Sequence, residues 1–182
     1  LDLGTNDIGL FLGGSLTIAD GGLFVPAGAG LLTFDGAGSV AWADQNTVTG
    51  VSFGRVKIDG TGKPVTLGSN AYVHTLEVGA DSSLAVGGNY ITLTNCSGTG
   101  DDRPFKVLGS FDAGTGTLRF FGADGTTDIQ ASGVSYWNLS LWNETAAAPL
   151  YRIGTAAGET LVVGGALSLY TEEGGPAVTA DA

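Results

Sequence analysis

The stretch Val86-Gly-Gly-Asn-Tyr-Ile-Thr-Leu93, VGGNYITL, places a glycine pair directly before a strand-like alternation of side chains. The same pattern occurs as LGGSLTI at 12–18 and as VGGALSL at 163–169. Short alternating segments bounded by residues that turn the chain easily recur along the whole sequence, and this is typical of β-strands. Glycine accounts for 32 of the 182 residues, and no window of about ten residues has a helical period. The sequence therefore predicts an all-β fold.

Longer phrases also recur, and they keep the same order. GLFVPAGAGLLTFDG at 22–36 aligns with GSFDAGTGTLRFFG at 109–122. VSFGRVKI at 51–58 aligns in the same way with VSYWNLSL at 134–141. Ordered repetition is typical of proteins in which each unit buries its apolar side against the next unit.

The repeats indicate the architecture and the domain organisation. We predict one repeat-built domain over residues 1–182, with internal repeats at roughly 12–95 and 109–175. A period of about 75 residues matches about three coils of roughly 20–25 residues each. We therefore predict a β-solenoid (β-helix) of short strands with glycine-rich turns. A β-sandwich or jelly roll is the alternative, because it also uses short strands and frequent turns.

Charge and hydropathy exclude several classes of function. The net charge of -11 argues against binding to nucleic acid or to anionic membrane surfaces, since both need basic patches. No apolar run reaches the length of about 18 residues that a membrane span needs, so we expect no membrane insertion. The chain begins at Leu1 and contains no methionine, and we expect a secreted, extracellular or cell-surface protein whose signal peptide has been removed.

One part of the sequence resembles a known group of proteins. GSFDAGTGTLRFFGADGTTDI at 109–129, followed by VSYWNLSL, is similar to repeats of secreted bacterial and archaeal β-solenoid surface proteins and adhesins. Asn138-Leu139 fits that repeat, whereas Arg55-Val56 at the aligned position departs from it. The resemblance implies an extracellular structural or adhesive role, and it implies no catalytic residues.

The residues that could support catalysis do not form a recognisable constellation. His74 is the only histidine and has no nearby acid except Glu77, so we interpret it as a surface residue. Asp101 and Asp102 lie in the most polar loop, but the seven basic residues are scattered along the sequence. We therefore predict that the protein is not an enzyme, and we interpret the single cysteine, Cys96, as a small semi-buried residue.

Metal and cofactor motifs are also absent from the sequence. The calcium loops of EF-hands and of calcium-binding β-rolls do not occur, and neither do nucleotide-binding glycine motifs. We expect no cofactor. A structural calcium ion bound at aspartate-containing turns is the alternative.

Two further sets of residues are candidate binding or modification sites. Three asparagines, of which Asn143 is the preferred one, lie in glycosylation sequons, namely Asn95, Asn138 and Asn143. For Asn138 we also consider a buried asparagine ladder or a turn cap. Five aromatic residues are candidates for a sugar-binding platform, although such residues more often fill a core or an interface: Trp42, Trp137, Trp142, Tyr136 and Tyr151.

The two ends of the chain lead to the functional hypothesis. Both are apolar and strand-like, and a solenoid exposes an unpaired strand at each end. The candidate interface residues are Leu1, Leu3, Ile8, Leu10, Phe11, Ala177 and Val178. We predict a structural subunit that binds copies of itself head to tail in a filament or surface layer. The alternatives are a segment of an adhesin that binds glycans or another surface, and a polysaccharide lyase or hydrolase.

Overall fold

The computed structural model describes residues 8–22, 24, 30–46, 52–60, 62, 64–143, 149–154, 156–171 and 177–180, with backbone only at 95, 96, 123, 124, 171 and 177–180. It consists of short strands and one turn of 3-10 helix at Gly100–Asp102. The strands are β1 (Leu10–Leu12), β2 (Leu16–Ile18), β3 (Leu31–Phe34), β4 (Val40–Asp44), β5 (Arg55–Ile58), β6 (Pro64–Leu67), β7 (Ala71–Val73), β8 (Thr75–Val78), β9 (Ser83–Ala85), β10 (Tyr90–Gly98), β11 (Phe105–Val107), β12 (Ser110–Asp112), β13 (Thr117–Ile129), β14 (Ser135–Tyr136), β15 (Asn138–Asn143), β16 (Leu150–Ile153), β17 (Val162–Val163), β18 (Leu167–Thr171) and β19 (Ala177–Ala180).

The strands stack into three parallel sheets that form a β-solenoid of about six turns. The first sheet has the order β1-β3-β5-β8-β11, the second β2-β4-β6-β9-β12, and the third β7-β10-β13-β15-β18. In addition, β16 and β19 extend the second half of β13, and β14 pairs with β17. Successive strands of one coil thus belong to different sheets. The predicted all-β solenoid is confirmed, and the sandwich alternative is wrong because sandwiches are built from antiparallel strands.

The core is made of columns of side chains that follow the strand register. In the third sheet, Ile91 pairs with Leu118 and Leu118 pairs with Leu139, and all three side chains are buried. Arg119 and Ser140 occupy the alternate positions on the opposite face of the same strands. Because side chains alternate between the two faces of a strand, the period-two pattern of the sequence becomes an apolar interior and a polar exterior.

A column of glycines forms the corner between the first and second sheets. It consists of one glycine per coil after β1, β3, β5, β8 and β11: Gly13, Gly36, Gly60, Gly79 and Gly109. A Cβ atom added at Gly60 would lie 2.6 Å from the carbonyl oxygen of Gly36, one coil earlier. Adjacent coils therefore approach so closely at this corner that a side chain would separate them.

Asparagine side chains form hydrogen bonds at the corner that leads into the third sheet. The Asn70 Oδ1 atom accepts a hydrogen bond from the Tyr90 amide at 2.9 Å, and the Asn89 side chain donates to the Leu67 carbonyl at 2.8 Å. The Asn138 Oδ1 atom accepts from the Ala166 amide at 2.9 Å, and its Nδ2 donates to the Thr115 carbonyl at 3.4 Å. Each asparagine thus links its own coil to a neighbouring one through main-chain groups. These bonds of Asn138 match the turn cap considered for it and not the asparagine ladder, because none of them joins it to another asparagine side chain.

The repeated glycine phrase marks corners, but not always the same corner. Gly13 leads into β2 in the second sheet, whereas Gly87 and Gly164 lead into β10 and β18 in the third sheet. A Cβ atom would find nothing within 4 Å at Gly13 and Gly14. The phrase therefore has no single structural cause.

Candidate functional site

The C-terminal coil exposes side chains that continue the core columns. Leu167 and Leu169 on β18 align with Leu139 and Leu141 on β15, which are fully buried. Leu167 is 48% exposed and Leu169 is 52% exposed, because no described strand of the third sheet stacks beyond β18. This apolar surface, Leu167 and Leu169, is called the terminal leucine pair below. Leu167 and Leu169 are not among the interface residues predicted from the sequence, although the third copy of the glycine phrase contains them.

Among the described strands, none pairs with the edge of β18 that faces away from β15. The Leu139 amide donates to the Ala166 carbonyl at 2.9 Å, so Ala166 directs its main-chain groups towards β15. Since successive residues of a strand direct these groups to opposite edges, Leu167 and Leu169 direct theirs away from β15. The last coil therefore combines exposed apolar side chains with a strand edge that can accept another strand.

At the N-terminal end, the structure describes three of the predicted interface residues. Leu10 is half-buried against the core, Phe11 is 68% exposed on the opposite face of β1, and Ile8 is exposed. The Asp35 amide donates to the Leu12 carbonyl at 3.1 Å, so the main-chain groups of Phe11 face the other edge of β1. Leu1 and Leu3 lie outside the described residues. Ala177 and Val178 lie on β19, paired with β16, and only their backbone is described.

The aromatic residues proposed as a sugar platform are not brought together. Trp42, Tyr136 and Tyr151 are buried in the core. Trp142 lies on the outer face of the third sheet, and Trp137 lies at the corner before it with 43% of its surface exposed. The core interpretation thus holds for three of the five residues.

Trp142 belongs to a column of stacked rings on the outer face of the third sheet. Its ring centroid lies 4.9 Å from that of Phe121 and 4.2 Å from that of Tyr170, and both pairs are stacked. The Arg119 guanidinium carbon lies 4.7 Å from the Trp142 ring and 5.5 Å from the Tyr90 ring. Because the faces of these rings pack against one another, the column stabilises the stacking of the coils.

We expect Trp142→Ala to lower the free energy of unfolding by about 1–3 kcal/mol, because each lost ring pair is worth about 0.5–1.5 kcal/mol. The substitution also removes the hydrogen bond from Trp142 Nε1 to Ser140 Oγ, which measures 2.6 Å. Urea denaturation followed by circular dichroism measures the loss. Trp142→Phe keeps a stacked ring and should lose clearly less stability; equal losses would contradict the stacking role.

The basic residues are less scattered than the sequence suggests. Four of the seven, Arg55, Lys57, Arg103 and Lys106, lie on or beside the outer face of the first sheet. Arg55, Arg103 and Lys106 line a surface basin of about 210 Å³ together with the acidic side chains Glu77, Asp101 and Asp102. Basic residues that are scattered along the sequence thus lie close together in space, because residues far apart in sequence stack on successive coils.

The charges beside this basin are largely paired with one another. Lys57 Nζ lies 2.9 Å from Asp59 and 3.7 Å from Glu77, and Lys106 Nζ lies 3.2 Å from Asp101. The hydrogen bond to Asp59 raises the pKa of Lys57; partial burial opposes this rise, and the charges of Asp59 and Glu77 add to it. Partly exposed ion pairs of this kind contribute little stability, and the arrangement is that of a solvated charged face.

No protein-family model, curated protein or solved structure matches this chain. The resemblance to surface-protein repeats thus remains a prediction. Within the residues described above, no helix is long and apolar enough to cross a lipid bilayer. The same residues contain no group of three or more histidine, cysteine, aspartate or glutamate side chains placed to hold a metal ion. The calcium alternative therefore has no candidate site in that part of the chain.

The remaining predicted residues are the sequon asparagines, Cys96 and His74. Asn143 is buried, so the preference for it as a glycan acceptor conflicts with its position, because an oligosaccharide needs an exposed amide nitrogen. Asn138 is half-buried and bonded to two neighbouring coils. The side chains of Asn95 and Cys96 lie outside the described residues. His74 is exposed between β7 and β8, as expected for a surface histidine.

Proposed function

We propose that this protein is a secreted structural subunit that assembles head to tail into an extracellular filament or surface layer. The observation that carries the proposal is the half-exposed terminal leucine pair, which continues a column that is fully buried one coil earlier. Burial of such surface is favourable by about 25 cal/mol per Å². A second copy whose first coil stacks on this end would continue the core across the contact.

Strand edges at both ends support the same proposal. β1 is the first strand of the first sheet, β2 is the first of the second, and β18 is the last of the third. Unpaired edges are templates for pairing with another chain. Because the two ends differ, such a contact is heterologous, and it produces an open fibre when the rotation between copies does not close a ring.

We expect Phe11→Pro to abolish polymer formation without unfolding the subunit. The Phe11 amide faces the edge of β1 opposite β3, so proline removes a donor that is not used in pairing β1 with β3. Sedimentation velocity of the purified protein over a range of concentrations measures the change. Phe11→Tyr keeps both the ring and the amide, and it should polymerise like the wild type.

The contact at the C-terminal end is tested with Leu169→Lys, which places a charge in the terminal leucine pair. Ser168→Lys adds the same charge to the same strand on its outer face and serves as the control. We expect Leu169→Lys to remain folded and monomeric and Ser168→Lys to polymerise. Polymers of unchanged size from Phe11→Pro and Leu169→Lys would contradict the head-to-tail contact.

A further inference from the structure

A surface groove lies where the stacking of the second sheet stops. The second sheet ends at β12, and β14 starts a separate pair with β17 on the following coil. Between them is an open groove of about 260 Å³, whose lining includes Asp112, Ser135, Trp137 and Val162. Beneath the groove, Phe111 and Tyr136 keep their ring centroids 6.3 Å apart, so the core remains closed. The groove is thus a shallow site on the surface of a closed core.

Trp137 differs from the other two tryptophans because, within the described part of the chain, its ring contacts no other aromatic ring, whereas Trp42 packs against Phe34 and Phe53 and Trp142 stacks on two rings. A Cβ atom added at Gly164 would lie 3.2 Å from Trp137 Cε3, and one added at Gly165 would lie 3.1 Å from Nε1. The ring therefore packs directly against this glycine pair, and a larger residue at either position would crowd it. The ring also borders the groove and is 43% exposed. The Trp137 ring thus provides a flat apolar surface that is supported by the glycine pair.

Polar groups lie beside that surface. The Asp112 Oδ1 atom accepts a hydrogen bond from the Gly114 amide at 2.9 Å, which fixes the orientation of the carboxylate. Its other oxygen belongs to an exposed side chain and is available to hydroxyl donors. Ser135 adds an exposed hydroxyl to the lining. An apolar platform with a few convergent polar groups is the usual composition of a small-molecule site.

We infer that this groove binds a neutral oligosaccharide, with one sugar ring stacked on Trp137 and a pair of its hydroxyl groups donating to Asp112. The apolar C–H face of a pyranose fits the indole, and its hydroxyl groups fit a carboxylate acceptor. The lining described here contains no basic side chain, and the protein has a net charge of -11, which disfavours uronate or sulfated glycans. This inference uses none of the residues proposed for assembly, so each can fail alone.

The test is isothermal titration calorimetry, with cellohexaose, maltohexaose and chitohexaose as neutral probes and hexagalacturonate as the acidic probe. We expect at least one neutral probe to bind with a Kd on the order of 0.1–1 mM, as is reasonable for a shallow site. Trp137→Ala should weaken this binding at least about tenfold, since an aromatic anchor carries much of the affinity of such a site. Trp137→Tyr should retain part of it, and Asp112→Asn should weaken it.

Tyr170→Ala is the matched control, because Tyr170 is 44% exposed but stacks on Trp142 in the outer aromatic column. It should bind the probe like the wild type. Circular dichroism establishes that each variant is folded. Absence of binding to every neutral probe, equal affinity of Trp137→Ala and the wild type, or a preference for hexagalacturonate would overturn the inference.

Discussion

Asp128→Asn is expected to lower the free energy of unfolding by about 2–3 kcal/mol, because the buried carboxylate makes charge-assisted hydrogen bonds to a partly exposed Arg152. Asp128 is fully buried on β13. Its two carboxylate oxygens accept from Arg152 Nε at 2.8 Å and Arg152 Nη2 at 2.9 Å, and Oδ2 also accepts from the Gly100 amide at 2.7 Å. The Asp128 side chain thus links both β16 and the 3-10 turn to β13. Urea denaturation measures the loss.

The contribution of Asp128 depends on pH in a defined direction. Burial alone would raise the pKa of this carboxyl group, but the hydrogen bonds from Arg152 and Gly100 and the charges of Arg152 and Arg103 hold its pKa below the ordinary 3.8. A carboxyl group with a lowered folded-state pKa stabilises the protein fully above its unfolded-state pKa. This stabilisation is lost as the pH falls through the folded-state value.

The difference in stability between wild type and Asp128→Asn should therefore be constant near neutral pH and shrink under acid conditions below about pH 4. Asp101→Asn is the control, because Asp101 is exposed and pairs only with Lys106 at 3.2 Å among the ion pairs found. We expect no measurable change in stability for that variant. A difference that does not vary with pH would contradict the role assigned to the Asp128 charge.

Gly109→Ala is expected to lower the free energy of unfolding by about 3 kcal/mol, because the new methyl group would overpack the corner between two coils. It would press on the carbonyl oxygens of Ser82 and Gly79, one coil earlier. Both carbonyls already accept hydrogen bonds, from the Ser110 amide and the Ser82 amide respectively, each at 3.0 Å. The methyl group can be accommodated only if these backbone bonds lengthen or break.

Gly38→Ala is the matched control for the glycine column. Gly38 is an exposed glycine near the same corner, and a Cβ atom there would find nothing within 4 Å. Its substitution should change stability by no more than about 0.5 kcal/mol. If the two variants unfold at the same urea concentration, close approach of the coils at Gly109 is not what requires glycine there.

Much of the fold follows from two signals in the sequence. Period-two alternation identified the strands, and the ordered repetition of longer phrases favoured a solenoid over a sandwich. The buried column of Ile91, Leu118 and Leu139 is the outcome of that alternation. The sheet to which each strand belongs could not be predicted, because it depends on how many residues each corner uses. For this reason the strand at Leu16 and the strand at Tyr90 follow the same phrase but lie in different sheets.

The candidate sites were harder to predict because they join neighbouring coils. Arg152 follows Asp128 by 24 residues, about one coil, and only the register of β13 with β16 makes them partners. Alternation counted back from the buried Leu139 would place Trp137 inside and Tyr136 outside. The structure reverses this order because a corner at Trp137 interrupts the strand, so Tyr136 enters the core and Trp137 faces the groove.

Electron microscopy of the negatively stained wild-type protein at high concentration tests the central claim, head-to-tail assembly, most directly. We expect unbranched fibres one solenoid wide that are absent from Phe11→Pro prepared in the same way. A field of separate, uniform particles from the wild-type protein at high concentration would contradict the proposed function.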